Sequence, residues 1–270
     1  MNYKSRYFLG AAVAVPLLPI LFVQGKQIRK RVPKLPEARQ PEGSAGVGKQ
    51  HIFRVLFIGE STVAGVGVDT HENGFAGSFA RALAEQYDCQ VDWKVYARSG
   101  YTLERSRRKL LPQLNHEQAD LLIVGTGGND AFTLNRPGRF QQQAHQFIND
   151  LRSLFPDAPI VFTNMPPIKS FPAFTASIRF VLGNLVEILG ESLSEVVTVH
   201  PNVFYNSELV DTATWKARWQ VEGELADFFS DGVHPAPITY QVWGKDMVRF
   251  IKAHDILNVL GQTHQKYDNQ

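Results

Sequence analysis

The chain has a single cysteine, Cys89, among its 270 residues. One thiol cannot close an internal disulfide or build a cysteine-based zinc site. Cys89 reads as a buried core thiol with no bearing on compartment. An excess of charge of one sign is missing too. The 28 basic and 26 acidic residues leave a formal +2, too little to argue for a nucleic-acid partner. No zinc-finger spacing, P-loop or dinucleotide glycine fingerprint occurs, and no internal repeat or low-complexity tract is visible. What remains is ordinary globular composition, 44% hydrophobic and 20% charged. That is enough to bury a full core, and the length allows one or two domains.

The N-terminus departs from this composition. "YFLGAAVAVPLLPILFV", from Tyr7 to Val23, carries no charge. Lys4 and Arg6 precede it, and Lys26, Arg29, Lys30, Arg31 and Lys34 follow. A cleaved signal peptide fits the length, but the dense basic run and the lack of an A-x-A-like site count against it. A buried helix would be disrupted by Pro16 and Pro19. An uncleaved membrane anchor over residues 1–25 fits best, at the short end for a full span. The heavier basic flank on its C-terminal side favours a cytoplasmic catalytic domain, with an extracytoplasmic one as the alternative. Residues 26–51, rich in Pro, Gly and charge, read as a tether. One domain is expected over 52–258, followed by a polar tail over 259–270.

Within the domain, strand-like and helical patterns alternate. Strands are expected at "FRVLFIG", "VDWKVYA", "ADLLIVGTG", "PIVFTNMP" and "VVTVHP". Helices are expected at "GFAGSFARALAEQY", "TLERSRRKLLPQL", "RFQQQAHQFINDLRSLF", "ASIRFVLGNLVEILGESL" and "ITYQVWGKDMVRFIKAH". This rhythm implies a parallel sheet with helices on both faces. Loops at the carboxyl ends of such strands build the site, and the unusual residues fall there. Ser61 follows the first strand, Gly100 the second, and Asn129 and Asp130 the third. "MPPIKSFPAF" follows the fourth.

A serine becomes a nucleophile only with a base to take its proton and donors to meet the oxyanion. Each requirement has a candidate at a loop. Asp231 and His234, in "FFSDGVHP", are close enough for the carboxylate to hold one ring nitrogen while the other faces Ser61. Gly100 can present an unobstructed backbone N–H, Asn129 a side-chain amide, and Ser61 its own N–H if it opens a helix. Taken singly, each has a structural reading: a helix cap, a tight turn, a surface histidine, or two ligands of a metal lacking a third. The other seven histidines, such as His71 and His145, read as surface residues.

The set as a whole resembles the SGNH hydrolases, also called GDSL esterases and lipases. "GES" at 59–61 is similar to the family's first block. Gly100 matches the second, Gly127, Asn129 and Asp130 the third, and Asp231 and His234 the last. The resemblance spans roughly residues 52 to 256. It implies a three-layer α/β/α flavodoxin-like fold with strand order 2-1-3-4-5. It also implies a serine esterase working through Ser61, His234 and Asp231, with Ser61, Gly100 and Asn129 as oxyanion donors. Esters or thioesters are the implied substrates, as small molecules or lipids, and no metal or organic cofactor is implied. A carbohydrate or cell-envelope O-acetyl esterase is the alternative enzyme, and a catalytically silent membrane-tethered binding domain the alternative of another class. Two positions depart from the pattern. Glu60 stands where aspartate is usual, and Arg98-Ser99 precede Gly100 where an asparagine is often found. "MPPIKSFPAF" and the Trp215/Trp219 stretch read as ordinary packing or a crossing loop, against walls of an acyl pocket. Arg105, Arg107, Arg108 and Lys109 read as a solvated helix face, against a contact with anionic lipid.

Overall fold

A computed structural model describes residues 2–257. Six strands form one sheet: β1 (Glu42–Ala45), β2 (Ile52–Gly59), β3 (Gln90–Ala97), β4 (Leu121–Gly125), β5 (Ile160–Phe162) and β6 (Val203–Tyr205). Eight α-helices accompany them: α1 (Tyr3–Arg31), α2 (Phe75–Tyr87), α3 (Leu103–Lys109), α4 (Gly128–Phe132), α5 (Pro137–Leu154), α6 (Ala176–Val197), α7 (Thr212–Trp219) and α8 (Pro237–Ala253). The sheet order is β1-β3-β2-β4-β5-β6. All neighbours are parallel except β1, which pairs antiparallel with β3 at the edge.

Strand burial follows position. Val55–Ile58 of β2 and all of β4 are buried, as uninterrupted apolar runs covered on both faces must be. On one face Phe57 meets Phe75 and Phe79 of α2 edge-on, and Phe75 stacks on Trp243 of α8 at 4.1 Å. On the other face Leu56, Ile58, Leu122 and Val124 share a core with Phe140 and Phe147 of α5 and Leu189 of α6. Full burial of such a side chain stabilises the fold by roughly 1.5–3 kcal/mol. Gly244 lets α8 approach α2 closely, since a Cβ there would lie 2.6 Å from the Phe79 nitrogen.

The structure differs from the sequence reading at several points. "VVTVHP" is not a strand. α6 runs through Val197 because Leu185, Leu189, Leu193 and Val196 continue its buried stripe, and the fifth parallel strand is β6. α7, capped by Asp211, had no expected counterpart. Part of the presumed tether, Glu42–Ala45, is the sixth strand. His71, expected at the surface, is buried, with its Nδ1 unpaired. Cys89 is buried as expected. The polar tail lies outside the described residues.

Pro16 and Pro19 do not break α1; both lie on its exposed side. α1 runs antiparallel along α6. Tyr3 Oη donates to Glu195 at 2.9 Å, Arg6 pairs with Glu191, and Gln24 Oε1 accepts from Thr175 and Ser177 at 2.8 Å each. Tyr3 is buried, and Tyr7, Gly10, Ala14, Leu17, Leu21, Gln24 and Ile28 are half-buried, alternating four and three residues apart. That is the spacing of a helix–helix seam. Phe8, Leu9, Val13, Val15, Leu18, Ile20, Phe22 and Val23 stay exposed on the outer side.

Candidate active site

Ser61 opens the turn after β2. Gly59 is required there, because a Cβ would run into the Gly125 carbonyl and Val63. Ala64 N donates to Glu60 O at 2.8 Å and Val66 N to Ser61 O at 3.1 Å, coiling the loop back on itself. Ser61 is half-buried, and its hydroxyl has no hydrogen-bond partner among the described residues.

Asp231 and His234 form a closed local unit. Asp231 Oδ1 accepts the backbone N–H of Val233 and of His234, and Oδ2 lies 2.8 Å from His234 Nδ1. A carboxylate only accepts, so Nδ1 carries the proton and Nε2 is left free. The Asp231 side chain is fully shielded from solvent. Burial pushes its carboxyl up, but the hydrogen bonds and charge of His234 outweigh this and hold it below the usual range.

The serine and histidine loops are stitched together. Tyr240 Oη donates to Val66 O at 2.8 Å, and Ser230 Oγ sits 3.2 Å from Gly67 O and 2.9 Å from Pro235 O. Gly67, at φ +107°, could not carry a Cβ, which would lie 2.5 Å from Pro235 O. Three expected site residues, Ser61, Asp231 and His234, are thus on adjoining loops. No hydrogen bond joins the Ser61 hydroxyl to the His234 ring among the described residues.

Gly100 lies in a turn closed by Tyr101 N to Arg98 O at 3.3 Å. Its φ of +77° is what the third position of a type II turn requires. Asn129 opens α4. Its side-chain Nδ2 donates to Glu60 Oε2 at 2.6 Å and to Tyr101 O at 3.2 Å, so both amide protons are engaged. Glu60, buried, also accepts from the backbone N–H of Gly128 and Asn129. Burial pushes its carboxyl up to about 7, against the pull of these donors. Asp130, fully buried, accepts from Leu103 N and Asn135 Nδ2, tying α4 to the start of α3.

An apolar cavity opens beside Glu60 and Thr62, walled by Met165, Pro167, Phe171, Trp215, Phe229 and Val233. The stretch after β5 and Trp215 therefore meet on a cavity wall, where ordinary packing was expected; Trp219 does not line it. The buried Thr126 hydroxyl, also on its wall, has no hydrogen-bond partner. Of the basic cluster on α3, Arg107 pairs with Glu104 and Asp150, and Arg105 lies over the Tyr101 ring. Sequence reading missed Glu37, whose carboxylate accepts from Ser99 N at 2.7 Å and Arg98 Nη1 at 3.0 Å. Among the described residues no group of three or more His, Cys, Asp or Glu gathers to hold a metal.

Residues 57–242 match the family model described as GDSL-like Lipase/Acylhydrolase family. Among solved structures, TesA is similar at 19% identity and TM-score 0.55, over 74% of this chain and 98% of that one. A family 3 carbohydrate esterase of Clostridium thermocellum is similar at 14% identity and TM-score 0.56, over 77% and 98%. A member of the lipolytic protein G-D-S-L family from Veillonella parvula is similar at 14% identity and TM-score 0.54, over 73% and 97%. No curated protein matches the chain.

Proposed function

Because the chain belongs to the GDSL-like lipase/acylhydrolase family and is a carboxylic ester hydrolase, we propose that Ser61 is its nucleophile, His234 its general base and Asp231 the carboxylate that orients the base. The observation carrying this reading is the 2.8 Å Asp231–His234 bond, with Nε2 free, on a loop stitched to that of Ser61.

His234 takes the Ser61 proton as the oxygen attacks the ester carbonyl. The oxyanion is met by the N–H groups of Ser61 and Gly100 and by Asn129, which exchanges its longer bond, to Tyr101 O, for the substrate oxygen. Hydrogen bonds of this kind tighten on reaching the reacting complex. His234 then protonates the leaving alcohol, and water repeats the cycle to free the acid. Asp231 stabilises the imidazolium without taking its proton. The apolar cavity receives the acyl group.

The outward face of α1 holds the enzyme at a lipid surface. α1 is long and apolar enough to cross a membrane by length and composition, and its exposed Phe8, Leu9, Ile20 and Phe22 form an apolar face flanked by cations. Its seam on α6 is retained when it lies flat.

Turnover of p-nitrophenyl acetate and fluorophosphonate labelling test the serine assignment. Wild type is expected to take one label at Ser61, and Ser61→Ala to lose both label and turnover. Normal turnover by purified Ser61→Ala would overturn it.

A further inference from the structure

The departure at Arg98-Ser99 leaves the Gly100 turn without the residue that often precedes that glycine, and little else holds it. Arg98, Ser99 and Gly100 are all exposed, and a Cβ on Gly100 would meet nothing within 4 Å. Packing therefore does not set the direction of the Gly100 N–H. Arg98 N donates to Gly59 O at 3.1 Å, which anchors the start of the turn. The next N–H, that of Ser99, goes to Glu37.

Glu37 comes from the stretch between α1 and β1, and its backbone neighbours are fixed. Ala38 N donates to Ala64 O at 2.9 Å, Arg39 N to Asp69 O at 3.0 Å, and His71 N to Arg39 O at 2.9 Å. Gly65, at φ +68°, makes room for this strap; a Cβ there would lie 2.6 Å from Ala38 Cβ. The strap thus lies on the Ser61 loop, while its carboxylate grips the Gly100 turn.

We propose that Glu37 is a positioning residue for the oxyanion hole, clamping the Gly100 turn to the loop that carries the nucleophile. The inference rests on the serine-esterase reading above. The bond to Ser99 carries the role: it is short and charge-assisted. The pairing with Arg98, whose side chain is 63% exposed, contributes little. A donor misplaced by about 1 Å can cost on the order of 100-fold in rate.

The test compares wild type with Glu37→Ala, Glu37→Gln and Glu37→Asp on p-nitrophenyl acetate, with fluorophosphonate labelling and melting temperature recorded for each. Glu37→Ala is expected to lower kcat by about tenfold or more, with KM within about twofold. It still labels at Ser61, more slowly, and melts within a few degrees of wild type. Glu37→Gln keeps a neutral acceptor for the Ser99 N–H and recovers most of kcat. Glu37→Asp, one methylene short of Ser99, behaves like Glu37→Ala and serves as the test if the alanine variant does not fold. Wild-type kcat in the folded Ala or Asp variant, a loss confined to KM, or a loss that Glu37→Gln does not recover would overturn the proposal. Failure of the wild type to label at Ser61 would instead bring down the serine assignment, and the clamp with it.

Discussion

Glu60 should leave a signature in stability against pH. Its carboxyl is buried and accepts three N–H bonds, from Gly128 N, Asn129 N and Asn129 Nδ2. Burial wins over these bonds and raises the folded-state value from 4.5 to about 7. A raised carboxyl binds more protons folded than unfolded, so stability falls as pH rises from about 4.5 to about 7. At 1.36 kcal/mol per unit, the full effect is on the order of 3 kcal/mol. For a chain of this size that corresponds to roughly 6–12 °C in melting temperature. The assay is a melting series from pH 4.5 to 8 on wild type and Glu60→Gln. Glutamine shifts the whole curve by a constant, because its amide cannot satisfy all three donors; the difference in slope reports the ionisation. Wild type should lose stability relative to the variant across this window. Parallel curves would refute the reasoning. So would an opposite slope, which is the result if the three hydrogen bonds outweigh burial.

Three other outcomes are expected. Asn129→Ala should lower turnover on the order of 100- to 1,000-fold, the cost of one oxyanion donor; a loss under about threefold would exclude it from the hole. Gly67→Ala, forced to adopt φ +107° against Pro235 O, should destabilise by about 2–4 kcal/mol, read by urea or thermal unfolding, and lower activity by parting the serine and histidine loops. Removing residues 2–31, which leaves Glu37 and its strap in place, should abolish flotation with anionic liposomes yet keep kcat on a soluble ester; continued flotation would refute α1 as the membrane contact.

The legible parts of the fold were those with local periodicity. Val55–Ile58 of β2 and the whole of β4 announce themselves as unbroken apolar runs, and α2 and α8 by apolar residues three and four apart. Asp231 and His234 were legible because three residues of one loop bring them together. β1 was not, because "EGSA" has no apolar signal; its place comes from backbone pairing with β3. The three valines of "VVTVHP" favour a strand locally, but the stripe on α6 claims Val196 for helix packing. The prolines of α1 lie on its exposed side, and each costs the helix one of its own backbone hydrogen bonds without ending it. Glu37 could not be found by any spacing rule, since its partner Ser99 lies 62 residues away and is met only through tertiary structure. Motif matching picked out the residues proposed to do the chemistry and passed over the one proposed to hold a donor in place.

Both departures from the family pattern place a carboxylate behind a proposed oxyanion donor, Glu60 behind Asn129 and Glu37 behind the Gly100 turn. A bare anion a few ångströms from a developing oxyanion would raise the barrier by on the order of a few kcal/mol. The two sites avoid this in different ways. Glu37 is partly exposed and is met by the Arg98 guanidinium at 3.0 Å, so water and a countercharge screen it. Among the described residues no cation pairs with Glu60, and burial does the work, keeping its proton until about neutral pH. The longer acid can therefore brace Asn129 without opposing the reaction, provided the proton stays. Burial that weakens the folded state at high pH is then the same property that suits Glu60 to stand behind an oxyanion hole.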